Sequence, residues 1–359
     1  MIVMETYPRK KVDSVSITSI HHYGRSVMAT TRWGCLGPGK ISEDFFMAIK
    51  ENLPAQEHKF VAVASRDLAR AHTFADRFGF ERAYGSYEEV GQDSGVEVVY
   101  IGTLHVTHVD LALKMMHAGK HVLCEKPMAM NLKQAQLVLD AAKTENRLFV
   151  EAVWSRWFPA YQKVREELAA GAIGDPRLVL VNFCVPISEV ERVKNIAMGG
   201  GGCLDIGIYV VQLACMVFNE RPVSISAVGN LMGAVDESAV IVLKYKGGGL
   251  ANLTYHTAAG RGTNSATIMG PKGQIQIESP FHAPTRVMTP SGTNEFPLKE
   301  GSYHFGNSAG LQYEAAEIRR CLLEGAIESP AFAHKDSVMV HTIMDEVRRQ
   351  IGVVYPGFD

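Results

Sequence analysis

Between residues 31 and 153 the apolar positions gather into short, nearly unbroken runs, separated by longer stretches in which they recur with helical spacing. The runs cover 32–36, 60–64, 96–103, 122–124 and 148–153. Runs this short with few polar breaks suit strands covered on both faces, as in a parallel sheet. The stretches between them, including 43–52, the segment ending near 118, and 131–146, are predicted helices. Strands alternating with helices of about 10–15 residues predict a doubly wound parallel α/β sheet.

Beyond residue 155 the pattern changes. A predicted helix over 159–170 and a turn over 171–176 precede strand-like runs at 177–185, 223–230, 239–245, 249–256, 265–270 and 274–278. Sequential strands with glycine turns and few helices between them predict an open, mostly antiparallel sheet, one face of which is free for helices or another subunit. Helices near 309–324 and 335–351 close the chain. The expected division is a disordered leader over 1–30, an α/β domain over 31–153 and an α+β domain over 154–359, its final helix free to pack back on the first.

Composition narrows the class. The chain has 359 residues, enough for two domains of about 100–200 residues each. Its hydrophobic content of 47% and charged content of 21% are ordinary for a globular protein. A net charge of −2 supplies no long-range field for nucleic acid or an anionic membrane, so neither is an expected partner. No apolar run reads as the roughly 20 residues that cross a bilayer. The cysteines are scattered without a C-x-x-C pair, which predicts free buried thiols in a reducing compartment, the cytoplasm. Residues 1–30 carry Arg9, Lys10, Lys11 and Arg25 but no apolar h-region, against a secretory signal. Glu5 and Asp13 interrupt the basic bias of a mitochondrial leader, which stays as the minor alternative.

The chemistry begins at Gly37-Pro38-Gly39-Lys40-Ile41-Ser42, between the first strand and the first helix. Strand, glycine turn and helix form the context of a dinucleotide fingerprint. The first glycine turns the chain, and the second lets pyrophosphate approach the backbone at the helix N-terminus. Ser42 replaces the third glycine and is small enough to pack closely. The second strand ends in Ser65-Arg66-Asp67, with Arg70 one turn on. An acid there would hold a ribose 2′-hydroxyl, whereas arginine accommodates a 2′-phosphate. Arg66 and Arg70 share a helical face and can clamp that phosphate together, which predicts NADP, with NAD weaker. Asp67 either meets a ribose or caps its helix. Thr103, His105 and His108 follow the third long strand; no acid or cysteine joins the histidines at ligand spacing, so they predict a turn beside the cofactor and no metal.

Val122-Leu123-Cys124-Glu125-Lys126-Pro127 places Glu125 and Lys126 at the carboxyl end of a buried strand, where open α/β sheets bind their ligands. The bland alternative is a surface lysine in a turn. Four glycines, Gly199-Gly200-Gly201-Gly202, precede a predicted helix to Phe218 on which Asp205 and Tyr209 stand one turn apart on one face. A buried tyrosine with an incidental acid is the structural alternative, yet an acid on an apolar helix needs a partner. Lys126, Asp205 and Tyr209 together make chemical sense. Oxidising a secondary alcohol requires a base for the hydroxyl proton while hydride leaves the carbon. A tyrosine with a pKa of about 10 is protonated at neutral pH, and a nearby ammonium is expected to draw it down.

Gly37-Pro38-Gly39, Glu125-Lys126-Pro127, Gly171-Ala172-Ile173-Gly174 and Gly202-Cys203-Leu204-Asp205-Ile206-Gly207 together resemble the motifs of the glucose–fructose oxidoreductase / inositol dehydrogenase family. The likeness runs from about Arg32 to the C-terminus; Ser42 and the leader over 1–27 depart from it. It implies a Rossmann domain followed by a domain on an open, mostly antiparallel sheet, and a homodimer through that sheet. Arg32-Trp33-Gly34, Ala83-Tyr84-Gly85-Ser86-Tyr87-Glu88-Glu89 and Asp205-Ile206-Gly207-Ile208-Tyr209, with Ser329-Pro330 and Glu346-Val347-Arg348, match a branch of NADP-dependent enzymes that oxidise trans-dihydrodiols of aromatic compounds and pyranose sugars such as D-xylose. Much of the family has histidine in place of Tyr209. By this resemblance Tyr209 is the general base, Lys126 its electrostatic partner and Asp205 their neighbour. Gly37, Gly39, Lys40, Ile41, Arg66, Arg70, Thr103, His105, His108, Glu125 and Lys126 surround the cofactor, and Trp154 and Phe183 line an aromatic substrate pocket. The rival expectations are a sugar or polyol dehydrogenase with little dihydrodiol activity and a non-catalytic dinucleotide sensor.

Overall fold

Each of the five apolar runs of the first half becomes a buried strand. In chain order the elements are β1 (Thr31–Leu36), α1 (Lys40–Asn52), β2 (His58–Ala64), α2 (Leu68–Phe78), β3 (Arg82–Tyr84), α3 (Tyr87–Gln92), β4 (Val98–Ile101), α4 (His108–His117), β5 (His121–Glu125), α5 (Leu132–Thr144) and β6 (Phe149–Ala152). All six strands are parallel, in the order β3-β2-β1-β4-β5-β6. Strand order reverses between β1 and β4, which opens a crevice beyond their carboxyl ends. The computed structural model describes residues 30–260 and 262–359. The expected leader therefore lies, apart from Thr30, outside the described residues.

The second half runs α6 (Pro159–Ala169), β7 (Leu178–Cys184), α7 (Glu191–Lys194), α8 (Ile208–Phe218), β8 (Ser224–Met232), β9 (Val235–Lys244), β10 (Leu250–His256), β11 (Ala266–Gly270), β12 (Gly273–Ile277), β13 (Arg286–Thr289), β14 (Gly292–Glu295), α9 (Leu311–Glu324) and α10 (His334–Ile351). Its eight strands form one sheet, β14-β13-β12-β11-β7-β10-β9-β8, antiparallel except where β7 meets β10. The fold is thus the expected one, a parallel α/β sheet followed by a mostly antiparallel sheet.

The differences from the sequence pattern are local. The three-residue β3 and the short β13 and β14 carry too few apolar positions to register as strands. α3 is a six-residue helix held by a Ser86–Glu89 capping box. The helix expected from the last of the four glycines to Phe218 opens instead as a π-turn, Cys203–Gly207, before α8 begins. Tyr255 presses against this turn. A Cβ on Gly202 would lie 2.8 Å from its Cε2, so only glycine lets the turn seat there. The stretch Ile196–Phe218 is also long and apolar enough, by length and composition, to cross a membrane, contrary to the sequence reading. Glycines and Asp205 break its apolar run, and the fold encloses nearly all of it as a core helix.

α10 lies against α5 and α8 and ties the two sheets together. Glu151, at the end of β6 and 2% exposed, is its buried anchor. The carboxylate accepts from the Met128 amide (3.0 Å) and Ser337 Oγ (2.6 Å) and pairs with His341 Nε2 (3.2 Å). Burial alone would raise its pKa, but His341, Ser337 and the Met128 amide outweigh burial and hold it below 4.5. A folded-state pKa below the ordinary value contributes stability that is complete above pH 4.5 and lost as pH falls through the folded value. His341→Leu should cost about 1–3 kcal/mol in denaturant unfolding, because it strands part of a buried carboxylate. Glu151→Gln should remove that share of the acid sensitivity; an unchanged acid transition would refute the assignment.

Candidate active site

A cavity of about 1040 Å³ lies at the carboxyl ends of β1 and β4, between the two sheets. Gly37, Gly39, Lys40, Ile41, Arg66, Arg70, Thr103, His105, His108, Glu125, Lys126, Trp154, Phe183, Asp205 and Tyr209 all line it. Residues far apart in sequence therefore share one wall.

At one end Gly37 adopts φ +87°, and a Cβ there would meet Thr103 Cγ2 at 2.7 Å. Gly39, at the N-cap of α1, and Lys40 and Ile41 after it line the cavity, which sets a helix N-terminus, suited to an anion, at this end. Ser42 takes the place of the third glycine without loss: fully buried, its Oγ donates to the Gly37 carbonyl at 2.6 Å and tightens the turn. Asp67 caps α2 by accepting from the Ala69 and Arg70 amides (3.0 and 3.4 Å). Of the two sequence alternatives for Asp67 the structure shows the cap, made by Oδ1, and the residue also lines the cavity. Arg70 Nη2 donates to the Pro38 carbonyl at 3.1 Å, which holds its guanidinium beside the glycine turn with Arg66 nearby. A glycine turn, a helix N-terminus and two arginines at one end of the cavity fit the phosphates of a dinucleotide.

The histidines brace this wall. His108 places Nδ1 2.9 Å from the Pro127 carbonyl and Nε2 3.1 Å from the Thr103 carbonyl, and burial lowers its pKa to about 4. His105 Nε2 meets the Gly199 carbonyl at 2.6 Å, joining the first sheet's loops to the glycine stretch; burial lowers its pKa as well. Both line the cavity, His108 with both ring nitrogens engaged by backbone carbonyls and His105 with Nε2 so engaged. Among the described residues no three His, Cys, Asp or Glu side chains gather as a metal site.

At the other end Lys126 Nζ donates to Asp205 O (2.7 Å) and Oδ1 (3.4 Å), and Arg192 Nη1 donates to the same Oδ1 at 2.7 Å. Burial would raise the Asp205 pKa, but Lys126 and Arg192 bring it down to about 2. Tyr209 Oη accepts from Trp154 Nε1 at 3.0 Å, and Phe183 packs edge-on at 5.7 Å between ring centroids. Lys126 Nζ sits over the Tyr209 ring, 5.0 Å from its centroid, with its hydrogen bonds given to Asp205. The expectation that Lys126 lowers the phenol is therefore corrected. Burial, then Glu125 and Asp205, hold Tyr209 well above 10, and the Trp154 bond offsets this only in part.

Glu125 accepts from Tyr100 Oη at 2.7 Å and from the Lys126 amide at 3.2 Å. Glu314 on α9 is 1% exposed with no hydrogen-bond partner for either oxygen among the described residues. Burial and Glu125 push its pKa well above 4.5, which favours the neutral acid. Tyr87, Arg192 and His282 line the cavity without having been foreseen. Arg192 and His282 belong to a four-residue helix and an irregular loop, where no local periodicity marks them.

The family model described as "Oxidoreductase family, NAD-binding Rossmann fold" matches residues 31–152, and the "GFO/IDH/MocA C-terminal domain" matches residues 161–276. Trans-1,2-dihydrobenzene-1,2-diol dehydrogenase of Danio rerio is 44% identical over 328 residues, 90% of this chain and 98% of that protein. The Bos taurus protein of the same name is 40% identical over 330 residues, with 90% and 98% covered. A levoglucosan dehydrogenase in complex with NADH and levoglucosan shares the fold with a TM-score of 0.79 at 20% identity, over 90% of this chain and 98% of that one. A 3-ketoreductase from Actinomadura kijaniata, in complex with NADP and TDP-benzene, gives 0.75 at 25% identity over 90% and 98%.

Trp154 donates the hydrogen bond that favours the Tyr209 phenolate, so Trp154→Phe should raise the phenol pKa further. In a reaction that ionises Tyr209, turnover at neutral pH should fall about fivefold to tenfold, the worth of one neutral hydrogen bond. The alkaline limb of the pH–rate profile should move to higher pH while cofactor affinity stays constant; a limb that does not move would rule out Tyr209 as its source.

Proposed function

The chain belongs to the GFO/IDH/MocA family of oxidoreductases, and we propose that it oxidises trans-1,2-dihydrodiols of aromatic compounds, and pyranose sugars such as D-xylose, with NADP. The observation that carries this reading is the convergence of Lys126, Asp205 and Tyr209 in the cavity whose other end holds the α1 N-terminus, Arg66 and Arg70. The names of the curated relatives support the diol, and the aromatic walls of Trp154 and Phe183 suit a flat or pyranose ring.

Bound NADP supplies the hydride acceptor. The α1 amides would hold its phosphates, and Arg66 and Arg70 would take the 2′-phosphate. Tyr209 Oη receives the substrate hydroxyl proton as hydride leaves the carbon. Asp205 fixes Lys126 over the ring, and Arg192 fixes Asp205. Because the phenol stays above 10, its basic form is scarce at neutral pH. Oxidation should accelerate as pH rises, whereas carbonyl reduction, which draws a proton from the neutral phenol, runs well at neutral pH.

The test follows NADPH absorbance over a panel of trans-1,2-dihydrobenzene-1,2-diol, D-xylose and polyols. Tyr209→Phe should lower kcat about 10²–10⁴-fold with NADPH affinity retained, and near-normal turnover would remove its role. Arg66→Ala should raise the KM for NADP far more than that for NAD; equal effects would sink the 2′-phosphate assignment. Turnover of sugars or polyols without the diol would favour the narrower sugar reading. Flat traces with tight cofactor binding would favour a sensor.

The reading includes a homodimer through the second sheet. Its outer face presents Leu180, Val228, Val240 and Val242 to solvent, with Val228 79% exposed and paired with Val240 across adjacent strands. A row of exposed valines on one sheet face favours a covering partner. Sedimentation should give a dimer, and Val228→Lys should shift it towards monomer; a monomeric wild type would overturn this assembly.

A further inference from the structure

His282 stands in the loop between β12 and β13, flanked by the fully buried Phe281 and Ala283. The loop is pinned on both sides. Ser155 Oγ donates to the His282 carbonyl, and Asn307 Nδ2 donates to the Ala283 carbonyl at 2.7 Å. The imidazole stacks on Phe183 with centroids 4.3 Å apart and planes 18° from parallel. It lies 6.2 Å from the Trp154 ring and 5.5 Å from the Tyr209 ring. Three aromatic rings of the cavity thus fix its orientation.

Its ring nitrogens are not used by the fold. Nδ1 is sealed without a hydrogen-bond partner, and Nε2 makes no hydrogen bond among the described residues. The ring keeps partial exposure, which falls in the cavity, so Nε2 is the nitrogen open to a ligand. A ring needed only for packing between Phe183 and Trp154 would carry no such burden, because a buried polar group without a partner costs free energy that an apolar ring avoids. Burial, with Lys126 close by, lowers the imidazole pKa to about 3. The ring is therefore neutral across the working pH range, with one donor and one acceptor nitrogen. A hydroxyl, which both donates and accepts, can satisfy whichever character Nε2 has.

We propose that His282 determines specificity by hydrogen-bonding a second substrate hydroxyl, adjacent to the one that reacts at Tyr209. The cavity then prefers vicinal diols and polyhydroxylated rings to simple alcohols. The assignment rests on the dehydrogenase reading, in which Tyr209 marks the reacting hydroxyl. The two rings are close enough for one small vicinal diol to touch both. Being neutral, His282 acts on recognition and leaves the proton to Tyr209.

His282→Phe keeps the stack on Phe183 and removes both nitrogens; His282→Gln keeps an amide at the reach of Nε2. Steady-state kinetics on trans-1,2-dihydrobenzene-1,2-diol and D-xylose, with NADPH binding by fluorescence and melting temperature as controls, separates the outcomes. In His282→Phe, kcat/KM should fall about tenfold to a hundredfold, mainly through KM, with NADPH affinity and melting temperature retained. His282→Gln should recover part of the loss. An active wild type with kcat/KM unchanged in His282→Phe overturns the assignment alone, as does a loss that His282→Gln fails to recover. A wild type that binds NADPH and turns over neither substrate overturns the dehydrogenase reading, and this assignment with it.

Discussion

Asp205 is the charge on which the two halves of the protein close. It sits on the π-turn before α8 and is 7% exposed. An ionised carboxylate at that depth is strongly unfavourable without partners. Lys126 reaches it from the end of β5 and Arg192 from α7, so the first sheet, the loop after β7 and the core helix meet at one oxygen. Tyr209 stands one turn further along the same helix and inherits its position from this junction. The geometry of the candidate site is therefore a consequence of neutralising one buried acid.

The same low-dielectric setting governs the proton chemistry. Glu125 and Glu314 are both buried near the site, and burial, then Glu125, pushes the Glu314 pKa well above the ordinary carboxylate range. Tyr209 experiences the field of Glu125 and Asp205 more strongly than any relief from Lys126, whose ammonium is committed to Asp205. Position above a ring face differs from position at its hydroxyl: an ammonium over the face meets the ring's quadrupole. The Trp154 indole is the donor at the oxygen itself, so an aromatic wall residue also tunes the acid–base group.

Packing sets how near these groups can come. Glycines over 199–207 let Tyr255, His105 and Val193 press against the backbone, and Asp236 braces that turn by accepting from the Cys203 amide (2.6 Å) and Tyr255 Oη (2.7 Å). On the far side α10 locks onto Glu151. Strand ends, helix starts and irregular segments, among them the one that carries His282, together bound the cavity.

Several features were legible from sequence because they depend on local geometry. Alternating strands and helices, the glycine turn before α1 and Lys126 at a strand end are set by local backbone geometry. Arg66, by contrast, precedes the Asp67 N-cap and lies off α2, and Asp205 reaches Tyr209 through a π-turn and not through a regular helical turn. Asp67 showed the limit of that information, since capping and ribose binding use the same residue type at the same place. The directions of the Tyr209 and Glu314 shifts, and the recruitment of Arg192 and His282, were decided only by tertiary structure. Desolvation and Coulomb terms sum over every atom around a group, and those atoms come from strands, loops and helices that no short window of sequence contains.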